Sequence, residues 1–312
     1  MQALSDKRCA FLFQGVGDEY QEFSHLLDEK QKESLNSYCS RANKEIGLDL
    51  WNYLFHSAAT KHDKMFNDWI AIYTCDCIAY NTYIELGIRP ELLLGYSMGL
   101  ITEMTCAKSI SYETGLQMLL TIYEYPKLAA RKGEGMGAIV GKTYRQVDEI
   151  IHKNNLQSHV MIASENNGEC IVISGLKSGI SQVLKVAENE GAIKVMEINS
   201  PYAFHSPFAA NGIERFADLM EKLQVLDSTT PIMSAFNQDI LQHTLELKKE
   251  LVKNMTSPMQ WKDGILKLSD LGIDTFIEVS LGDSITKMSR IISIDNDFLT
   301  YKKISRLKTS QC

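Results

Sequence analysis

The sequence predicts an α/β fold: an open, largely parallel sheet with helices on both faces, carrying a small inserted ferredoxin-like βαββαβ unit. Two observations carry this reading. Apolar runs too short for helices, at 9–13, 92–94, 232–235 and 275–279, alternate with helical patterns, as buried parallel strands do. After the glycine-rich stretch Lys132-Gly133-Glu134-Gly135 the pattern changes to strand, helix, strand, strand, helix, strand, ending near residue 199.

Each element follows from local chemistry. The run 9–13 (Cys-Ala-Phe-Leu-Phe) ends in Gln14-Gly15-Val16-Gly17 and reads as a buried strand delivering a loop to the sheet edge. No phosphate-binding lysine or third glycine follows, so this loop is not a nucleotide cradle. Residues 20–58 mix charged and apolar positions at helical spacing. Residues 64–87 form a longer helix, apolar on most sides and therefore buried, closed by Gly87. A helix is expected over 99–107, and another over 111–125 with Ser111 as its cap and Pro126 as its stop. The inserted unit takes strands at 136–140, 160–164, 170–174 and 192–198, with helices at 143–152 and 178–190. Beyond it come a helix at 208–224, a strand at 232–235, helices at 244–254 and 261–271, and a strand at 275–279. The large domain is thus expected over 1–132 and 200–312, the small one over 133–199.

The stretch Leu92-Leu93-Leu94-Gly95-Tyr96-Ser97-Met98-Gly99 organises the chain. A serine between two glycines, on a turn from strand to helix, stands at a helix head, where free N–H groups favour a developing oxyanion. The residues alone leave Ser97 as either a nucleophile or a plain helix cap. A serine hydroxyl needs a neighbouring base. Of seven histidines, His25, His56, His62, His152, His159 and His243 have polar neighbours, whereas His205 lies between Pro201 and Pro207 in an apolar, aromatic loop. That loop suits an imidazole held in one orientation, or a structural histidine.

Bulk composition narrows the function. With 45% hydrophobic and 23% charged residues, the chain has the composition of an ordinary globular protein with a full core. A net charge of −7 argues against nucleic acid as the main partner. Seven cysteines without metal-ligand spacing point to reduced thiols and a cytoplasmic protein, with the pair Cys75 and Cys77 buried in a helix. No leader or stretch of 18 apolar residues is evident, so no membrane association is expected.

Four segments then occur together and in order: Phe13-Gln14-Gly15-Val16-Gly17, Gly95-Tyr96-Ser97-Met98-Gly99, Tyr202-Ala203-Phe204-His205-Ser206-Pro207 and Thr256-Ser257-Pro258-Met259-Gln260-Trp261. In these the chain resembles the malonyl-CoA:acyl-carrier-protein transacylases, and more closely the discrete acyltransferases and acyl hydrolases of trans-acyltransferase polyketide synthases, over about residues 9–290. The resemblance implies an α/β-hydrolase-like large domain with the active site in the cleft beside the ferredoxin-like domain. It implies Ser97 as nucleophile and His205 as its base, with no acidic third member and a backbone carbonyl near Asn254 orienting the imidazole. The main-chain N–H groups of Val16 and Met98 correspond to the oxyanion hole. Asn166 matches an asparagine on the small-domain side. Phe204 matches the pattern of malonyl-type enzymes, while Tyr202, also placed at the substrate pocket, does not fit it cleanly.

The departures from the resembling family are informative. A glutamine is usual at Val16, a histidine at Tyr96 and a glutamate at Leu100. The arginine that pairs with a malonyl carboxylate falls at Ile122, and Leu119 to Tyr125 contains no cation. Arg131 is expected to lie too far along the helix to replace it. Burying a carboxylate without a partner costs on the order of several kcal/mol, and Glu124 would add repulsion if it faced the pocket. The expectation is an acyl hydrolase that clears non-carboxylated groups such as acetyl from acyl carrier protein, editing a polyketide assembly line. A transacylase for a non-malonyl acyl group is the alternative, and an inert docking module the third reading. No metal or cofactor is expected, the phosphopantetheine belonging to the carrier partner, and the chain is expected to be a monomer.

Overall fold

The computed structural model describes residues 7–57, 59–129, 133–200, 202–210 and 213–309. Two sheets organise them. Strand β1 (Cys9–Phe13) pairs in parallel with β2 (Leu92–Gly95) on one side, Phe13 opposite Gly95. On its other side lies β9 (Thr275–Glu278), which pairs in parallel with the edge strand β10 (Asp297–Leu299). Beyond β2 come β7 (Ile232–Met233), parallel, and β8 (Ile240–Leu241), antiparallel. All five residues of β1 and all four of β2 are buried, as strands covered on both faces must be.

Helices cover this sheet: α1 (Glu29–Ile46), α2 (Leu50–His56), α3 (Lys64–Glu85), α4 (Gly99–Cys106) and α5 (Tyr112–Ala129) precede the inserted unit. The expected stop at Pro126 is not observed. Ser111 caps α5 as expected, its Oγ accepting from the Thr114 N–H at 3.0 Å, but the helix continues to Ala129. Its buried face of Leu116, Leu119, Ile122 and Tyr123 outweighs the single N–H that proline removes. Cys75 and Cys77 are buried in α3.

The second sheet holds β3 (Glu134–Val140), β4 (Val160–Asn167), β5 (Cys170–Leu176) and β6 (Lys194–Ile198) in the order β4-β5-β3-β6, all antiparallel. With α6 (Tyr144–Lys153) and α7 (Lys177–Asn189) inserted as predicted, this is the ferredoxin-like order. The period of two along the strands divides its faces. Ile139, Ile171 and Ile173 pack with Val147, Ile150, Ile180, Val183 and Leu184 of the helices. Met136, Ala138, Val172, Met196 and Ile198 turn the other way and line a cleft against the large sheet.

After the unit, the helix expected over 208–224 is divided. A 3-10 turn at Pro207–Ala210 is followed by α8 (Ile213–Lys222). The expected strand at 232–235 ends at Met233, because the Ala235 carbonyl accepts the Gln260 N–H instead, at 2.7 Å. The segment between α9 (Thr244–Thr256) and α10 (Trp261–Asp270), read from sequence as a turn, joins the two sheets. Met259 donates its N–H to the Ala163 carbonyl and accepts from the Glu165 N–H. Strands β8 and β10 were not foreseen, nor were the helices α11 (Ser284–Ser289) and α12 (Tyr301–Thr309). Helix α11 is held by Glu278, whose buried carboxylate accepts from the Ile285 and Thr286 N–H groups at 3.1 and 2.9 Å. No helix among the described residues is long and apolar enough to cross a membrane.

Candidate active site

The site begins where β1 and β2 end side by side. The Tyr96 N–H donates to the Phe13 carbonyl at 2.8 Å, so the two chains leave the sheet together. Helix α4 then turns back against that corner with no space between. A Cβ on Gly99 would lie 2.5 Å from the Phe13 oxygen, and one on Gly95 would lie 2.6 Å from the Gly99 and Leu100 backbone. Making this turn in so little room puts Ser97 at φ 55°, a left-handed conformation that costs a serine free energy. Its hydroxyl stands clear of the helix, at the floor of the cleft.

His205 meets it from a separate loop. Nε2 of His205 lies 2.9 Å from Oγ of Ser97. The loop is anchored by the His205 N–H donating to the Met255 carbonyl at 3.0 Å, and His205 itself is at φ 57°. Pro207 opens the following 3-10 turn, whereas Pro201 lies outside the described residues, as do Lys132 and Arg131. Burial lowers the His205 pKa from 6.5 to about 4, and the Asn254 backbone carbonyl opposes that shift. The contact is loose: Nδ1 is enclosed and makes no hydrogen bond of good geometry among the described residues. The Asn254 carbonyl is free of helical duty because the residue four positions on is Pro258, which has no N–H. The Asn254 side chain does something sequence reasoning missed. Its Nδ2 donates to the Ser97 carbonyl at 3.0 Å, so one residue touches both sides of the pair.

The N–H groups of Val16 and Met98 take no partner among the described residues, and both residues line the space at Ser97. The loop carrying Val16 is set by a buried network. Gln14 Nε2 donates to the Tyr20 hydroxyl, which donates to Asp76 Oδ1 at 2.5 Å and accepts from the Leu281 N–H at 3.1 Å. The Ser284 hydroxyl donates to Gln14 Oε1 at 3.1 Å. Burial holds the Asp76 carboxyl well above its usual pKa. Its signal was present in the sequence, as the single charged residue in the apolar run from Trp69 to Ile84.

Two cavities meet at Ser97. The larger, about 290 Å3, lies between the sheets and is lined by Tyr96, Asn166, Met136, Val172, Met196, Phe204 and Met288 among others. The Tyr96 hydroxyl donates to Asn166 Oδ1 across it at 2.8 Å, and the Ser164 hydroxyl donates to the same oxygen at 2.6 Å. The smaller, about 50 Å3, runs behind Ser97 to Ile122, Ile101, Leu119 and Met255. Among the described residues, neither is lined by Lys, Arg, Asp or Glu. Ile122 and Phe204 are therefore at the site. Tyr202 is not. Its ring is fully buried in the core, edge-on to Phe204 at 5.2 Å, with its hydroxyl donating to the Ala209 carbonyl at 3.3 Å. Glu124 is exposed and lines neither cavity. No cluster of His, Cys, Asp and Glu able to hold a metal occurs among the described residues.

A parallel α/β sheet with a ferredoxin-like unit laid over its strand–turn–helix serine is the acyltransferase fold. The chain belongs to the acyl transferase domain family, which it matches over residues 31–289. It is 26% identical over 280 residues to the malonyl CoA-acyl carrier protein transacylase of Bacillus subtilis, covering 88% of this chain and 87% of that one. It is also 26% identical to the polyketide biosynthesis protein PksE of the same organism, over 92% of this chain and 35% of the longer relative. Among solved structures it superimposes on the malonyl CoA-acyl carrier protein transacylase of Coxiella burnetii with a TM-score of 0.87, at 21% identity over 98% of both chains. A malonyl-transacylase in complex with its type II polyketide synthase acyl-carrier protein gives 0.86, at 17% identity over 97% of this chain and 98% of that one.

The tight corner makes a prediction. Gly99→Ala pushes a methyl group into the Phe13 carbonyl and lowers stability by at least about 1–3 kcal/mol, read as a reduced midpoint in urea. An unchanged midpoint would show that the corner has slack.

Proposed function

We propose that this chain is a serine-dependent acyl hydrolase that removes non-carboxylated acyl groups, acetyl among them, from the phosphopantetheine thiol of an acyl carrier protein, as an editing enzyme of a polyketide synthase. The observation that carries the reading is the cavity shared by Ser97, His205 and Ile122, apolar and without a cation among the described residues. A malonyl carboxylate placed there would lose its hydration without gaining a partner. An acetyl methyl group would lose nothing.

The steps follow from the geometry. Burial keeps His205 neutral at pH 7, so Nε2 accepts the Ser97 proton as Oγ attacks the thioester carbonyl. The oxyanion is met by the N–H groups of Val16 and Met98. The usual glutamine at Val16 is not required for this, because the backbone supplies the donor. As the intermediate collapses, the His205 imidazolium gives its proton to the departing thiolate and leaves an acyl-serine. The Asn254 carbonyl partly offsets the cost of that buried imidazolium. His205 then takes a proton from water, which attacks the ester, and returns it to the departing Ser97 Oγ as the free acid leaves. A second thiol in place of water makes the same acyl-serine a transfer intermediate, a reading favoured by the named activities of the B. subtilis and C. burnetii relatives.

Incubation with acetyl- and malonyl-loaded carrier protein, followed by intact mass, tests the reading. Unloading of acetyl with malonyl left in place is expected; fast unloading of malonyl with acetyl untouched would contradict it. Added unloaded carrier protein separates the two fates of the acyl-serine, since label appearing on the acceptor marks transfer and label in free acid marks hydrolysis.

The buried histidine predicts a pH profile. His205 must be neutral to act, so kcat/KM holds as pH falls below 6.5 and declines only near its folded pKa of about 4. Stability moves earlier. The unfolded chain takes up the proton first, so the folded state loses ground between pH 6.5 and 4. An acid limb of activity at 6.5 would mean an imidazole open to water.

A further inference from the structure

Two cavities share the Ser97 floor, and five residues line both: Val16, Trp69, Ser97, Phe204 and His205. Four of these belong to segments already placed in the proposed chemistry, the oxyanion loop, the elbow and the His205 loop. Trp69 does not. It comes from α3, an element that offers no group to the reaction, yet its ring stands where the open cavity meets the closed one.

We propose that Trp69 is the specificity-determining residue that limits the length of the acyl group carried by Ser97. This rests on the reading that Ser97 forms an acyl ester. The open cavity between the sheets is the approach for a long thioester arm, which leaves the closed cavity for the acyl group. At about 50 Å3 that cavity has room for roughly three to five water-sized groups, enough for acetyl to butyryl and too little for a medium chain. Ile122, Leu119 and Met255 close its depth from a packed core, each under 10% exposed. Trp69 closes its side, and it is held there. Its ring meets the Tyr123 ring edge-on, with centroids 5.8 Å apart at 87°. Tyr123 in turn donates its hydroxyl to Asp63, the residue that caps the first turn of α3 by accepting from the Phe66 N–H at 3.0 Å. A ring fixed from both helices is a wall, not a flexible gate. Removing it joins the closed cavity to the open one and gives a longer chain a path past Ser97.

The test measures acyl-serine formation on the full chain. Acetyl, butyryl and octanoyl thioesters of N-acetylcysteamine are each mixed with protein, quenched and read by intact mass. Wild type is expected to take acetyl and butyryl at least about tenfold faster than octanoyl, and Trp69→Ala to raise the octanoyl-to-acetyl ratio by about tenfold or more. Trp69→Leu, a smaller disturbance of the core, shifts the ratio the same way by less and serves if the alanine variant melts early. Folded variants with the wild-type ratio would overturn the proposal, as would a wild type acylated equally fast by octanoyl. Whether the adduct is then lost to water is read separately, from its lifetime, so hydrolysis and length selection succeed or fail independently.

Discussion

The structure depends on one close approach, that of α4 to the end of β1. Gly99 leaves no room for a methyl group against the Phe13 carbonyl, and Gly95 leaves none against the turn that follows. From that corner the rest is placed. The chain turns within three residues and Ser97 is driven to φ 55°. The Tyr96 N–H ties the elbow to β1, and the loop leaving β1 brings Val16 to the cavity that Met98 also lines. The buried Gln14–Tyr20–Asp76 network keeps that loop from relaxing. Strain at one serine is thus sustained by parallel strand pairing and by a buried, hydrogen-bonded polar cluster.

The second constraint is the width and polarity of the cleft. The ferredoxin-like sheet spends one face on its own helices and turns the other over the serine. Met259 pairs with β4, Gln260 pairs with Ala235, and Tyr96 reaches Asn166. The two sheets are therefore joined at the back of the site by backbone as well as side chains. A cleft closed this way, with no Lys, Arg, Asp or Glu among its described lining residues, shifts the His205 equilibrium toward neutral imidazole.

Much of this was legible in the sequence, for local reasons. Strands buried on both faces read as unbroken apolar runs: 9–13 lies where expected, and 92–94 is observed with Gly95 added at its end. The pattern of the inserted unit was legible because its helices and strands each keep a clean period. The Ser97–His205 pair required the resemblance, since nothing local connects residues 108 positions apart. What sequence reasoning missed was decided by tertiary packing. The edge strand β10 and short α11 carry little apolar pattern of their own, and α11 exists because Glu278 caps it from another strand. Tyr202 sits beside His205 in sequence, but its bulk is taken by the core. The two roles of Asn254 and the wall made by Trp69 become visible only when four separate elements converge.

In the proposed chemistry Ser97 is a nucleophile made reactive by a buried, neutral His205. Covalent labelling by a fluorophosphonate measures this most directly, with peptide mapping to locate the adduct. One phosphonate per chain is expected, on Ser97, with labelling greatly slowed in His205→Ala. No adduct, an adduct on another residue, or equal labelling rates in the two proteins would contradict it.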